Sequence, residues 1–177
     1  MMITTMKKTI YYNFFPTKAE EEAAKSNPKS QPLPRRTPVE IRDVYPQTLP
    51  DPNNPWLIRK VLRHEEIQSS KLVLSFNETF EHIFRYWSMD MVSNILKGKR
   101  FYVSIWDVSD VSGLARRYKS NDIFLEEEVN NGGEFYYLGW KDLNEARNFN
   151  PGDEIGLFWD VNFGVFQFKL LCQKAAL

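Results

Sequence analysis

Nine of the ten prolines in this 177-residue chain precede Trp56. Proline fixes φ and removes a backbone donor. The stretch KAEEEAAKSNPKSQPLPRRTPVEIRDVYPQTLPDPNNP, Lys18 to Pro55, is therefore not expected to build a ladder or a long helix. Regular structure has to come from elsewhere. The expectation is a flexible, partly extended proline-rich leader over residues 1–55 and a folded domain over residues 56–177. Within the leader, TKAEEEAAK contains good helix formers and allows one short helix. The pair Arg35 and Arg36 reads as ordinary solvation of a linker, with part of a nuclear-targeting patch as the alternative.

Beyond Trp56 the apolar residues become periodic. WLIRKVLR is a mixed, β-branched first strand, and KLVLSF sets Leu72, Leu74 and Phe76 on one side at period two. Asn77 is placed to cap a helix in which Phe80, Ile83, Phe84, Trp87 and Met91 form one apolar stripe. LKGKR supplies a turn. FYVSIWD then alternates Phe101, Val103 and Ile105 against Tyr102, Ser104 and Trp106. LARRYK reads as a polar-faced fourth strand, and EFYYLG as a fifth, entered from the Asn130–Gly133 turn. WKDLNEARNF gives a short helix with Trp140, Leu143 and Phe149 inward. Pro151–Gly152 opens a last pair of strands. One has Ile155, Leu157 and Trp159 on a face; the other has Phe166, Phe168, Leu170 and Cys172. The order β, β, α, β, β, β, α, β, β predicts a mainly β domain. Seven short strands would form a closed or half-closed barrel whose ends two short helices plug.

The composition narrows function mainly by exclusion. Lys plus Arg equals Asp plus Glu at 23 each, so no global basic field announces a polyanion. A single cysteine forms no intrachain bridge and suits a reducing interior, and no signal-peptide or membrane-length apolar run is present. A soluble intracellular protein is expected. His64 and His82 lie in different elements, and no HxxxH or CxxC spacing offers a zinc site. Gly98 marks a turn, Asp153–Glu154 a solvated turn, and Cys172 a small hydrophobe on an apolar strand face. Trp87, Trp106, Trp140 and Trp159 read as core, while Trp56 is placed to pin the leader. No catalytic constellation, metal site, cofactor or small-molecule substrate is expected.

With the elements placed, WLIRKVLRHEEIQSSKLVLSF, GKRFYVSIWD and above all FYYLGWKDLNEARNFNPGDEIGLFWD carry a resemblance to the plant-specific B3 DNA-binding domain superfamily. The likeness spans about Trp56 to Gln173 and is most similar to a divergent branch of small members with a proline-rich leader. It implies a seven-stranded open pseudobarrel with two short helices. Its implied function is sequence-specific binding of double-stranded DNA, as a transcriptional regulator in the nucleus. The leader would remain open to other transcriptional proteins. Two loops would act as arms on the major groove. The first, RHEEIQSSK, contains Arg63, His64, Gln68, Ser69, Ser70 and Lys71, with Arg59 and Lys60 on the strand before it. The second, YKSNDIFLEEEVNNGGE, contains Lys119, Ser120, Asn121, Asn130 and Asn131, with Arg116 and Arg117 leading in. Arginine and lysine can meet phosphates or guanine edges; Gln and Asn offer a donor and acceptor to adenine.

The same arms hold Glu65, Glu66, Glu126, Glu127 and Glu128, and from Trp56 onward 15 basic residues face 17 acidic ones. A carboxylate facing phosphates is repelled unless it points away or accepts from cytosine N4. Three expectations follow. The glutamates lie on the outer side of the loop and leave Arg59, Lys60, Arg63, Lys99, Arg100, Arg116, Arg117 and Lys119 as a basic face. Or they lower non-specific affinity. Or the domain is a degenerate B3-fold protein-interaction module that no longer binds DNA.

Overall fold

The computed structural model describes residues 8–12, 18–25, 38–42, 51, 53–110, 112–130 and 133–174. These fall into two compact units, Met1–Gln47 and Thr48–Leu177. The first contains β1 (Lys8–Tyr12), α1 (Lys18–Lys25) and β2 (Pro38–Arg42). β1 and β2 pair antiparallel from Lys8↔Arg42 to Tyr12↔Pro38. A ladder here departs from the proline-based expectation. Its physical reason is that Pro38 is the first residue of its strand, where a missing N–H is tolerated. The helix α1 falls on the segment whose composition allowed one.

The second unit is mainly β. Its strands are β3 (Ile58–Val61), β4 (Lys71–Ser75), β5 (Phe101–Tyr102), β6 (Ile105–Asp107), β7 (Arg116–Tyr118), β8 (Phe124–Asn130), β9 (Gly133–Gly139), β10 (Glu154–Asp160) and β11 (Val165–Cys172). They form a five-stranded sheet, β3-β10-β11-β6-β7, and a four-stranded sheet, β4-β9-β8-β5. Only the β11–β6 pairing is parallel among those described, and neither sheet closes on itself. Between strands lie α2 (His64–Ser69), α3 (Phe76–His82), a 3-10 turn (Phe84–Tyr86), α4 (Met89–Leu96) and α5 (Lys141–Arg147).

This is finer-grained than seven strands and two helices, and each difference has a local cause. FYVSIWD is two strands in two sheets. Phe101 and Tyr102 pair with β8, whereas Ile105–Asp107 pair with β7 and β11. At the crossing, Val103 donates its N–H to the Ile123 carbonyl and Ser104 accepts from Phe166 N–H. The acidic segment of the supposed second arm is a strand, β8, paired with β9 along its length. The single apolar stripe from Phe80 to Met91 is split. Ile83 leaves helical geometry at φ −125°, ψ −66°, and Ser88 restarts the chain by accepting from Met91 N–H. Ser75, not Asn77, caps α3: its side chain accepts from Glu78 N–H while the Glu78 carboxylate accepts from Ser75 N–H.

The core follows the alternation read from the sequence. Leu72, Leu74, Tyr136 and Leu138 are buried from one sheet; Ile155, Leu157, Trp159, Phe166 and Phe168 from the other. Trp87 plugs the space between them, its ring 4.6 Å from Phe101 and 5.3 Å from Trp159. Trp140 does the same against Phe149 at 5.0 Å. Two residues expected inward lie elsewhere. Trp106 is half-buried and stacks on exposed Phe163. A register shift between Glu154 and Ile155 pairs Glu154 with Cys172 and turns that cysteine to the exposed side. Trp56 lies over Gly156, where a Cβ would come within 2.8 Å of its indole, and meets Phe158 edge-on.

Candidate nucleic-acid interface

The site is organised by an edge. β4 ends the four-stranded sheet, so one side of it has no strand partner, and unpaired edge donors have to be satisfied some other way. Glutamates satisfy them. Glu66, 2% exposed, accepts from Val73 N–H at 3.0 Å and from Arg63 N–H at 3.1 Å. Glu78 accepts from Ser75 N–H at 2.8 Å and from the Ser75 hydroxyl at 2.8 Å. Burial pushes the Glu78 carboxyl up, but the Ser75 bonds and Lys60 outweigh it and hold it below the ordinary value.

The RHEEIQSSK segment is not an open loop. It is the single-turn helix α2, closed by Ser70 in the left-handed region at φ 52°. Its C-terminal end is fixed from behind by the Gly-Trp-helix block. Asn144 Nδ2 donates to the Ile67 carbonyl at 2.8 Å and to Ser70 Oγ at 2.9 Å. Ser70 also accepts from Trp140 N–H through its carbonyl at 3.1 Å. These bonds let the Gly139–Trp140 block and the helix after it set the position of α2.

Two shallow clefts adjoin along this edge, sharing Arg63, Glu66 and Val73. One, about 380 Å³, lies between Arg63, Ser69 and Lys71 on one side and Glu128 and Tyr137 on the other. The second, about 360 Å³, continues past Arg59, Lys60 and Ser75 to Phe135. Sequence reasoning missed Phe135 and Tyr137, although the signal was present. EFYYLG alternates, and with Tyr136 and Leu138 inward those two aromatics face out.

The basic residues of this groove are paired within the chain. Arg59 Nη2 lies 2.9 Å from Glu154, Lys60 Nζ 3.4 Å from Glu78, and Arg63 Nε 3.3 Å from Glu66. Lys71 Nζ lies 2.6 Å from Glu126 Oε1, and Arg100, next to the groove but lining neither cleft, has its Nε 2.7 Å from Glu126 Oε2. Lys71 sits above the Tyr137 ring at 5.3 Å, and Arg100 above the Phe124 ring at 4.2 Å. Burial raises the Glu126 carboxyl; the bonds from Lys71 and Arg100 overcome that and leave it lowered. Of the acidic residues in question, Glu66 and Glu126 thus have internal partners, while Glu65 and Glu128 are exposed along the larger cleft.

The sequence-selected residues divide spatially. Arg59, Lys60, Arg63, Ser69 and Lys71 line the groove. His64 and Gln68 are exposed on α2, and Ser70 is spent holding Asn144. Arg116 and Arg117 occupy β7, at the opposite edge of the five-stranded sheet from β3. Arg116 lies 3.8 Å from Asp110, and Arg117 donates to Ser104 Oγ at 3.3 Å. Lys119 and Asn121 are exposed in the β7–β8 connection, and Ser120 Oγ accepts from Asp122 N–H. That connection returns beside Gly139, whose added Cβ would stand 2.9 Å from the Asp122 carbonyl; Gly139 itself pairs with Lys71. Asn130 ends β8 opposite Gly133, and Asn131 lies outside the described residues. Among the described residues no cluster of His, Cys, Asp or Glu could hold a metal ion, and no helix is long and apolar enough to cross a membrane.

Residues 56–171 match the family model of the B3 domain-containing protein At5g26805, C-terminal domain. The chain belongs to this B3 family. The chain is also similar to two Arabidopsis thaliana proteins, the "Putative B3 domain-containing protein At1g51970" and the "B3 domain-containing protein At1g10455". At1g51970 is 28% identical over 109 residues, covering 62% of this chain and 81% of the relative. At1g10455 is 28% identical over 118 residues, covering 66% and 71%. Among solved structures the chain is similar to the Arabidopsis FUS3–DNA complex at 16% identity and a TM-score of 0.46, covering 68% of this chain and 98% of that one. The B3 assignment therefore rests on the sequence family. The Gly139–Trp140 block that anchors α2 falls inside the matched span.

Proposed function

We propose that this B3 protein reads double-stranded DNA by sequence, using the groove along β4 and α2, and acts as a nuclear transcriptional regulator. The observation carrying the reading is that α2, an exposed polar helix, is locked onto the sheet beside Arg59, Lys60, Arg63 and Lys71. Base readout requires side chains held in register, and backbone contacts require cations flanking them. His64 and Gln68 then face base edges in the major groove, with Arg63 and Lys71 on the phosphates beside them. Lys119, Ser120 and Asn121, together with Asn130 and Asn131, supply a second contact further along the duplex, and Arg116 and Arg117 a flanking one. The leader, residues 1–55, is the segment open to other transcriptional proteins, and the folded domain of residues 56–177 carries DNA.

The competing reading, a B3 fold kept for protein contacts alone, draws on the excess of acidic residues over basic ones after Trp56. Fluorescence anisotropy on a labelled random-sequence duplex pool, titrated against salt, separates the two. Removing Arg63 with Arg63→Ala should weaken binding at every sequence and shallow the salt slope by about 0.9. Arg117→Ala should weaken binding less. Wild-type affinity in folded Arg63→Ala would remove the α2 groove from the interface.

A further inference from the structure

The four acidic partners of the groove cations are not equivalent. Glu66 and Glu78 also hold backbone N–H groups, so each would keep a partner if its cation were drawn away. Glu154 pairs with an arginine whose side chain is half exposed. Glu126 differs from all three. Its side chain is 15% exposed, and the hydrogen bonds described for its carboxylate come from two cations, Lys71 and Arg100, one to each oxygen. Those cations arrive from separate strands. Lys71 opens β4 and Arg100 precedes β5, and the register Phe101↔Leu125 brings Arg100 alongside Glu126. The aromatic faces of Tyr137 and Phe124 hold the two cations by means independent of the carboxylate. The result is an anion site already built, with two cations posed on rings about one carboxylate.

Building on the DNA-binding reading above, we propose that Glu126 is an internal competitor for backbone phosphate, and that it sets how much non-specific affinity the domain has. A phosphodiester oxygen can take the place of either carboxylate oxygen. To do so it must displace a short ion pair and leave a largely buried carboxylate without its partners, which is unfavourable. A phosphate presented only by chance does not overcome that cost. A duplex held in register by base contacts does. The exchange also swaps one anion for another at each cation, so Lys71 and Arg100 contribute less counter-ion release than free cations would. The acidic residue that looks misplaced in a DNA-binding domain thus becomes a determinant of its selectivity.

The test is Glu126→Gln, which keeps the shape and removes the charge, and Glu126→Asp, which is one methylene too short to span both cations. Thermal melting first identifies which variants are folded. Each folded variant is titrated with a random-sequence duplex and, separately, with inorganic polyphosphate as a probe free of bases. Glu126→Gln is expected to bind the random duplex about tenfold more tightly at low salt, with a slope steeper by about 0.9 for each cation released. Glu126→Asp should fall between it and the wild type. The gain should vanish when Lys71→Gln and Arg100→Gln are added. Unchanged affinity in folded Glu126→Gln, where the wild type binds duplex, overturns the competitor role and leaves the DNA reading standing. If no form binds duplex but Glu126→Gln binds polyphosphate more tightly than the wild type, Glu126 does occupy an anion site at Lys71 and Arg100, but its part in DNA affinity fails together with the DNA reading. No duplex binding by any form, together with no gain on polyphosphate, overturns both.

Discussion

Replacing Glu66 by alanine tests whether α2 is joined to the sheet edge. In the folded protein this carboxylate is 2% exposed and accepts from Val73 N–H at 3.0 Å and Arg63 N–H at 3.1 Å. Hydrogen bonds to a charged group are worth about 1.5–3 kcal/mol each, and an orphaned buried donor costs about 1–3 kcal/mol. Val73 is half-buried beside Glu66 and Arg63 is exposed, so water replaces the second bond more readily than the first. Counting the first bond in full and the second in part gives a loss of about 2–4 kcal/mol. For a domain of this size that corresponds to roughly 10 °C in Tm. Glu66→Gln keeps an acceptor for Val73 and should lose about half as much. Urea denaturation with unchanged m-value gives the free energy, and hydrogen exchange at the Val73 amide gives the local effect. A Glu66→Ala protein within about 0.5 kcal/mol of wild type, the range of an ordinary surface substitution, would refute the edge-cap argument.

Other outcomes follow from the same geometry. Glu78 and Glu126 both have carboxyl groups held below their ordinary value, so each stabilises the fold above the unfolded-state value and stops doing so as pH falls through the folded one. Tm should therefore hold steady above about pH 5 and decline below it, and Glu78→Gln should flatten part of that decline. Gly139→Ala should destabilise by about 1–3 kcal/mol or more, because its Cβ would meet the Asp122 carbonyl as well as the Phe124 ring. At Gly156 the three nearest atoms to an added Cβ all belong to the root of the Trp56 side chain, at 2.8–2.9 Å, so Gly156→Ala should displace Trp56 from Phe158 and lower Tm in the same thermal melt.

Much of the fold was legible because period-two burial leaves a trace in the residues themselves. Ile155, Leu157 and Trp159 alternate with Gly156 and Phe158, and Leu72 and Leu74 with Val73. The trace fails where two signals compete. Phe80, Ile83, Phe84 and Trp87 do all turn inward, yet three short turns deliver them as well as one helix would, and Ser88 decides by capping a new start. It fails again at FYVSIWD, since a strand that changes sheet keeps its alternation through the bend. The site was harder to read. Lys71 and Arg63 could be selected by charge, but not the fact that Glu66 occupies the backbone of a neighbouring strand. Nor could the meeting of Arg100 with Glu126, which depends on a two-residue strand pairing in one register. Two of the glutamates that read as repulsive, Glu66 and Glu126, turn out to be an edge cap and a counter-ion, and the bonds to Val73, Lys71 and Arg100 that give them those roles come from other strands or strand ends.

The central claim is that the β4–α2 groove reads sequence, and selection of bound duplexes from a random double-stranded pool, with the enriched motif then titrated against salt, tests it most directly. A short enriched motif, bound more weakly as salt rises and lost on replacing Gln68 and His64 together, is the expected result. A folded domain that enriches no motif at any salt concentration would contradict it.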